Sequence, residues 1–135
     1  MNPEIVTRLV RASGVIILGA GIFFLANQAI LARARGNNSQ PFFADGKPVL
    51  LYFTTPTCAP CKTIQQPAIR RLQEMLGERV RIVEIDATKD PKMASTWGVL
   101  SVPTTFIIDR KGQPRHVNHG VATVEKLQRQ LNDFL

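Results

Sequence analysis

The sequence predicts an α/β domain, a mixed four-stranded sheet with helices on both faces, preceded by one N-terminal transmembrane helix. Three observations carry this expectation. Residues 12–32 hold no charge. Beyond residue 47, short strand-like apolar runs alternate with helical stripes. The resulting order, β-α-β-α-β-β-α, joins the first two strands through a helix and the last two through a tight turn, so that parallel and antiparallel pairs share one sheet. A length of 135 residues accommodates one ordinary domain and an appendage.

The uncharged run, Ala12 to Ala32, reads ASGVIILGAGIFFLANQAILA. It reaches the roughly 20 residues that cross a bilayer core. A buried core helix would show an amphipathic face, and none is visible. A cleaved signal peptide is the stronger alternative, because Ala32-Arg33-Ala34 has the small-x-small form of a cleavage site. The apolar stretch exceeds the usual signal core, so residues 1–32 are read as an uncleaved anchor. Flanking charge does not orient it, since Arg8 and Arg11 on one side balance Arg33 and Arg35 on the other. A short arginine-bearing N-terminus before a single apolar span is the usual form of a signal anchor, which places the rest of the chain outside the cytoplasm. Residues 33–46, RARGNNSQPFFADG, have the composition of a linker. Its reach is roughly 20 Å if flexible. Phe42 and Phe43 depart from that composition and are candidates for interfacial anchors or first packing residues.

The domain proper is expected over residues 47–135. Pro48–Thr54 is a buried strand by composition. From Cys58 to about Leu76, the residues Ile64, Ala68, Leu72 and Leu76 suggest a helix stripe, which Pro67 should kink and Gly77 should end. Arg79–Asp86 alternates as a second strand, and Asp90–Trp97 is a short helix closed by Gly98. Thr104–Asp109 is a third strand, and Arg110-Lys111-Gly112-Gln113 turns into a fourth at Pro114–His119. Thr123 can cap a last helix with Val124, Leu127, Leu131 and Phe134 on one face. Residues 47–135 carry 13 Lys+Arg and 8 Asp+Glu, scattered and without interleaved aromatics, so no nucleic-acid partner is expected. A surface close to anionic lipid headgroups accounts for the balance.

The chemistry lies at Cys58-Ala59-Pro60-Cys61, where a strand ends and a helix begins. Positions i and i+3 face one side of a helix, so the two thiols can close a disulfide. At the helix start, free backbone N–H groups and the positive dipole end favour a Cys58 thiolate. Lys62 adds a positive charge, Pro60 is pre-shaped for a first turn, and Cys61 should be the more shielded thiol. A static disulfide is the bland alternative. A metal site would need His116 or His119, and neither has ligand spacing with a cysteine, so no metal is expected. A C-x-x-C at such a junction in a βαβ pattern points to a redox pair.

With that motif in view, residues 47–135 resemble the thioredoxin family, and the domain is expected to have the thioredoxin-like fold. Cys58-Ala59-Pro60-Cys61-Lys62 matches the active-site motif. Val102-Pro103-Thr104, directly before a strand, resembles the family's cis-proline loop, and Gly120 matches a family glycine. The resemblance implies that Val102, Pro103 and Thr104 face the cysteines and pair with substrate backbone, over a cis Val102–Pro103 bond. It does not cover residues 1–40. Thr57 replaces the usual tryptophan before the first cysteine. The family's buried carboxylate falls at Tyr52, and the lysine paired with it is placed at Ile82. Glu84 could substitute as proton acceptor, an exposed strand carboxylate being the plainer reading. Asp86 and Trp97 are read as structural.

These readings lead to a membrane-anchored thiol–disulfide oxidoreductase with Cys58 as nucleophile and Cys61 as resolving thiol, needing no cofactor beyond the dithiol itself. Ala59-Pro60 resembles the Gly-Pro of reducing thioredoxins, which suggests a reductant. Expected partners are protein disulfides near the membrane, membrane lipid and possible membrane-complex subunits. The alternatives are a non-catalytic accessory subunit of a membrane complex and a copper-delivery protein.

Overall fold

The computed structural model describes residues 2–35 and 45–135. The chain divides into two compact units, Met1–Ile30 and Leu31–Leu135.

Helix α1 runs from Pro3 to Arg35 and is long and apolar enough to cross a membrane. Its 33 residues make a helix of about 50 Å, longer than the roughly 30 Å hydrocarbon core. The helix extends beyond the uncharged run Ala12–Ala32 at both ends. The helix starts well before residue 12, since Pro3 opens it and Glu4 suits its positive end. It also continues through Arg33–Arg35, where a linker was expected, because Ala and Arg are strong helix formers and cations suit a helix C-terminus. The remainder of the expected linker up to residue 44, including Phe42 and Phe43, lies outside the described residues.

The second unit is built on a four-stranded sheet in the order β2-β1-β3-β4. Its strands are β1 (Val49–Thr54), β2 (Arg81–Asp86), β3 (Thr104–Ile108) and β4 (Pro114–His119). β1 pairs in parallel with β2 and antiparallel with β3, and β3 pairs antiparallel with β4. This is the mixed sheet that the connection lengths predict. Every residue of β1 and β3 is buried. On one face, Leu50, Tyr52 and Ile107 pack with Leu72 and Leu76 of α2 (Gln66–Leu76) and with Leu127 and Leu131 of α4 (Val124–Asn132). On the other, Phe53 and Trp97 set their ring edges against Phe106, at centroid distances of 6.0 and 5.1 Å. Trp97 follows α3 (Pro91–Thr96), whose N-terminus is capped by Asp90. Helices therefore cover both faces.

The helix stripe after Cys58 differs from the sequence expectation. Ile64 is exposed, Ala68 is half-buried, and the buried positions are Cys61, Gln65, Ile69, Leu72 and Leu76. A strict four-residue repeat advances about 40° per step on a 3.6-residue helix, so it cannot stay on one face. The first part of this helix, Cys61–Gln65, is moreover wound as a π-turn, with the Gln66 N–H donating to the Cys61 carbonyl five residues back. Pro67 follows at once, in the first turn of α2, where its missing N–H costs little. Gly77 ends α2 at φ +54°, a conformation that favours glycine.

Asp109 closes the β3–β4 hairpin. Its carboxylate accepts the N–H groups of Lys111 and Gln113, each at 2.9 Å, and the Arg115 guanidinium at 2.7 Å. Burial pushes the carboxyl's pKa up. The N–H of Gln113, the Arg115 guanidinium and the N–H of Lys111 outweigh that effect and hold it below its ordinary 3.8. Asp109→Ala is expected to cost about 2 kcal/mol at neutral pH, read by urea unfolding of the full chain in detergent with the single tryptophan as reporter. Because the folded pKa is depressed, this contribution is complete above 3.8 and is lost as pH falls through the folded value. The gap between wild type and variant should narrow in acid; a gap unchanged down to about pH 2 would contradict a charge-based role.

Candidate active site

β1 ends at Thr54, and residues 55–57 turn the chain so that the Cys58 N–H donates to the Thr55 carbonyl at 3.2 Å. The helix begins at the next residue. Cys58 therefore occupies the capping position, and its Sγ accepts the Cys61 N–H at 3.2 Å. A sulfur there receives one of the N–H groups that a helix start leaves without an intrahelical acceptor. The two cysteines form a disulfide with Sγ–Sγ 2.06 Å and Cα–Cα 5.3 Å. Cys58 retains 9% of its surface and Cys61 none, so reagents can approach only Cys58. Ala59, Pro60 and Lys62 are exposed on the same first turn.

The loop before β3 supplies the second part. The Val102–Pro103 bond is cis, the conformation that the resemblance implies. Val102 is partly buried and packs against the apolar cluster that contains both cysteines. Pro103 and Thr104 are buried; the Thr104 hydroxyl donates to the Ser101 carbonyl at 2.7 Å and pins the loop. The Pro103 carbonyl accepts the Gly120 N–H at 2.8 Å, and Gly120 holds φ +78°. No backbone hydrogen bond of Val102 is found among the described residues.

Beneath the cysteines lies Tyr52, fully buried, whose hydroxyl donates to the Cys61 carbonyl at 3.4 Å. Burial raises its pKa above the ordinary 10.0, a bond with Thr54 opposes this, and the charge of Glu84 adds to it. In the sheet register, the residue opposite Tyr52 on β2 is Glu84, and Ile82 lies opposite Leu50. Glu84 is exposed at the rim of a cavity of about 280 Å³ that Tyr52 and Ile82 also line. Among the described residues, no cluster of three or more His, Cys, Asp or Glu side chains is arranged to hold a metal ion. His116 is half-buried; burial lowers its pKa, and its ring lies 6.3 Å from that of Phe134.

Residues 33–133 match the family model described as thioredoxin. The chain belongs to the thioredoxin family. It is 33% identical over 87 residues to thioredoxin of Bacillus subtilis, covering 64% of this chain and 82% of that one. It is 33% identical over 89 residues to chloroplastic thioredoxin Y of Oryza sativa, covering 66% of this chain and 52% of the relative. Among solved structures, oxidised mitochondrial thioredoxin 3 of Saccharomyces cerevisiae superposes with a TM-score of 0.60 at 25% identity, over 68% of this chain and 83% of that one. Thioredoxin-2 of the malaria parasite gives a TM-score of 0.61 at 21% identity, over 64% and 82%, and so supports the fold. Family membership and the Cys58–Cys61 disulfide make this chain a thiol–disulfide oxidoreductase.

Sequence reasoning did not single out Gln65, which is fully buried and bonded to Ala122. The available signal was its place in the buried repeat, four residues after Cys61. In the reduced protein, Cys58 should react with iodoacetamide on the order of tenfold faster than Cys61, as read by peptide mapping. Faster labelling of Cys61 would reverse the two roles.

Proposed function

We propose that this thioredoxin is a membrane-tethered reductant of protein disulfides, with α1 as its anchor and the second unit on the extracytoplasmic side. The observation that carries the catalytic part is Cys58 Sγ on the helix cap, accepting the Cys61 N–H at 3.2 Å while Cys61 stays covered. In the reduced form, that N–H and the helix dipole favour the Cys58 thiolate. The thiolate attacks one sulfur of a substrate disulfide. A Cys58–substrate bond forms, the substrate S–S bond breaks, and one substrate sulfur leaves as thiolate. Cys61, deprotonated, then attacks Cys58. The internal disulfide forms, the mixed disulfide breaks, and the second substrate sulfur leaves. Two electrons pass from the dithiol to the substrate, and the two thiol protons end on the substrate thiols. No further cofactor enters this scheme.

Substrate backbone would pair with the N–H and C=O of Val102, which lie outside the sheet ladder beside the cysteines. The tether is supported by the length and apolarity of α1. The extracytoplasmic side is supported by the greater use of a tethered dithiol where soluble thiols do not keep cysteines reduced. The partners would then be proteins within or maturing beside the membrane, with lipid at the anchor and membrane-complex subunits among them.

Two measurements test this reading. Cys61→Ala in its native membrane is expected to accumulate mixed disulfides through Cys58; their absence, with Cys58 still alkylatable, would favour an accessory role without turnover. A membrane-impermeant thiol reagent added to intact cells after mild reduction should label Cys58. Labelling only after lysis, with the domain folded, would place the site in the cytoplasm.

A further inference from the structure

Between the end of β4 at His119 and the start of α4 at Val124, the chain has neither a ladder nor a helix to satisfy its backbone. Ala122 lies in this stretch, 1% exposed, within the apolar cluster that also holds Cys58 and Cys61. Its two backbone polar groups are met by one side chain from the other end of the domain. Gln65 Nε2 donates to the Ala122 carbonyl at 3.1 Å, and Gln65 Oε1 accepts the Ala122 N–H at 2.8 Å. The carboxamide thus acts as a one-residue strand. A paired bond of this kind fixes orientation as well as distance, and its full burial removes competing water.

Both ends of this clamp lead to the site. Gln65 is the last residue of the π-turn that begins at Cys61. Two residues before Ala122, the Gly120 N–H donates to the carbonyl of cis Pro103. A continuous path therefore runs from the cysteine helix through Gln65, Ala122 and Gly120 to the loop that carries Val102. Val121, between the two anchored residues, is 40% exposed. We infer that Gln65 is a positioning residue for substrate, holding the 120–122 segment in register with the cis-proline loop so that Val121 and Val102 form two sides of one groove for a polypeptide beside Cys58. The inference rests on the reading of Val102 as the substrate-pairing residue. The sheet does not require the clamp, since β3 and β4 are already paired through Thr104 and His119.

The test compares Gln65→Leu with wild type, both full-length in detergent micelles and reduced by dithiothreitol. Gln65→Leu keeps nearly the same volume and removes both bonds. Insulin is the protein disulfide and hydroxyethyl disulfide the small one, too small to use the groove. For Gln65→Leu, KM for insulin should rise on the order of five- to tenfold, with kcat and the hydroxyethyl disulfide rate within about twofold of wild type. Amide hydrogen exchange at Val121 and Ala122 should quicken at least about tenfold. Gln65→Glu, which retains the acceptor for the Ala122 N–H, should fall between the two and keeps the test open if Gln65→Leu does not fold. An unchanged KM in a variant with faster exchange would overturn the groove role, and unchanged exchange would overturn the clamp itself. Equal loss toward both disulfides would place the effect on the cysteines and overturn the inference as well. Wild-type protein that leaves insulin intact while reducing hydroxyethyl disulfide would refute the reductase reading first, which separates that failure from failure of the clamp.

Discussion

The complete burial of β1 is the constraint on which the domain rests. All six of its residues, Val49–Thr54, are buried, and the strand is hydrogen-bonded on both edges, to β2 and to β3. A strand buried on both faces offers no polar side that could turn outward, so a slip by one residue has no compensating gain. Its end is therefore fixed, and with it the place where the chain turns and starts the cysteine helix. The thiol chemistry uses that fixed point. Cys58 receives the Cys61 N–H because strand and helix meet within four residues, and Cys61 is covered because its helix packs back over the strand that delivered it.

Much of this was legible in the sequence, and for identifiable reasons. An apolar run marked β1, alternation marked β2 and a turn before Pro114 marked β4, and the order of runs and stripes set the topology. Thr123 and Gly120 announced the last helix, since an N-cap hydroxyl and a positive-φ residue each have few substitutes. The cysteine pair was legible because its spacing and its place at a strand–helix junction coincide. What escaped was fine register. Reading Ile64 as buried followed an even four-residue count, whereas the π-turn and the true helical pitch bring Gln65 inward. A polar glutamine on a buried stripe looks like a misfit until its partner, 57 residues away, is known. Likewise, the residue opposite Tyr52 could be named only once the parallel register was fixed, because periodicity tells which face a strand residue takes and not which neighbour it meets.

Tyr52 and Glu84 show how a family site can be kept while its interior chemistry changes. A hydroxyl in place of a buried carboxylate removes a charge from beneath Cys61. Desolvation disfavours the phenolate, and the Glu84 carboxylate across the strand pair disfavours it further, so the hydroxyl stays protonated and acts as a donor. It donates to the Cys61 carbonyl, which anchors the first turn of the helix rather than the sulfur. The position thus serves the placement of the thiol and takes no proton from it.

In the proposed reduction, that substitution constrains how the resolving step balances its proton. Cys61 is fully covered, and burial in apolar surroundings disfavours a free thiolate. Glu84 lies at the exposed rim of the cavity that Tyr52 also lines, and neither cysteine lines it. In the proposed scheme, a base of suitable strength is the substrate sulfur displaced from Cys58, a thiolate with a pKa near 8.5 when unperturbed. Transfer of the Cys61 proton towards that sulfur pairs the charge created with the charge removed, so that no ion is stranded in the core. Such a step depends on how closely the substrate chain is held against Cys58 when the mixed disulfide breaks. In the proposed scheme, loss of a built-in base therefore shifts the burden from proton transfer to the geometry of the mixed disulfide.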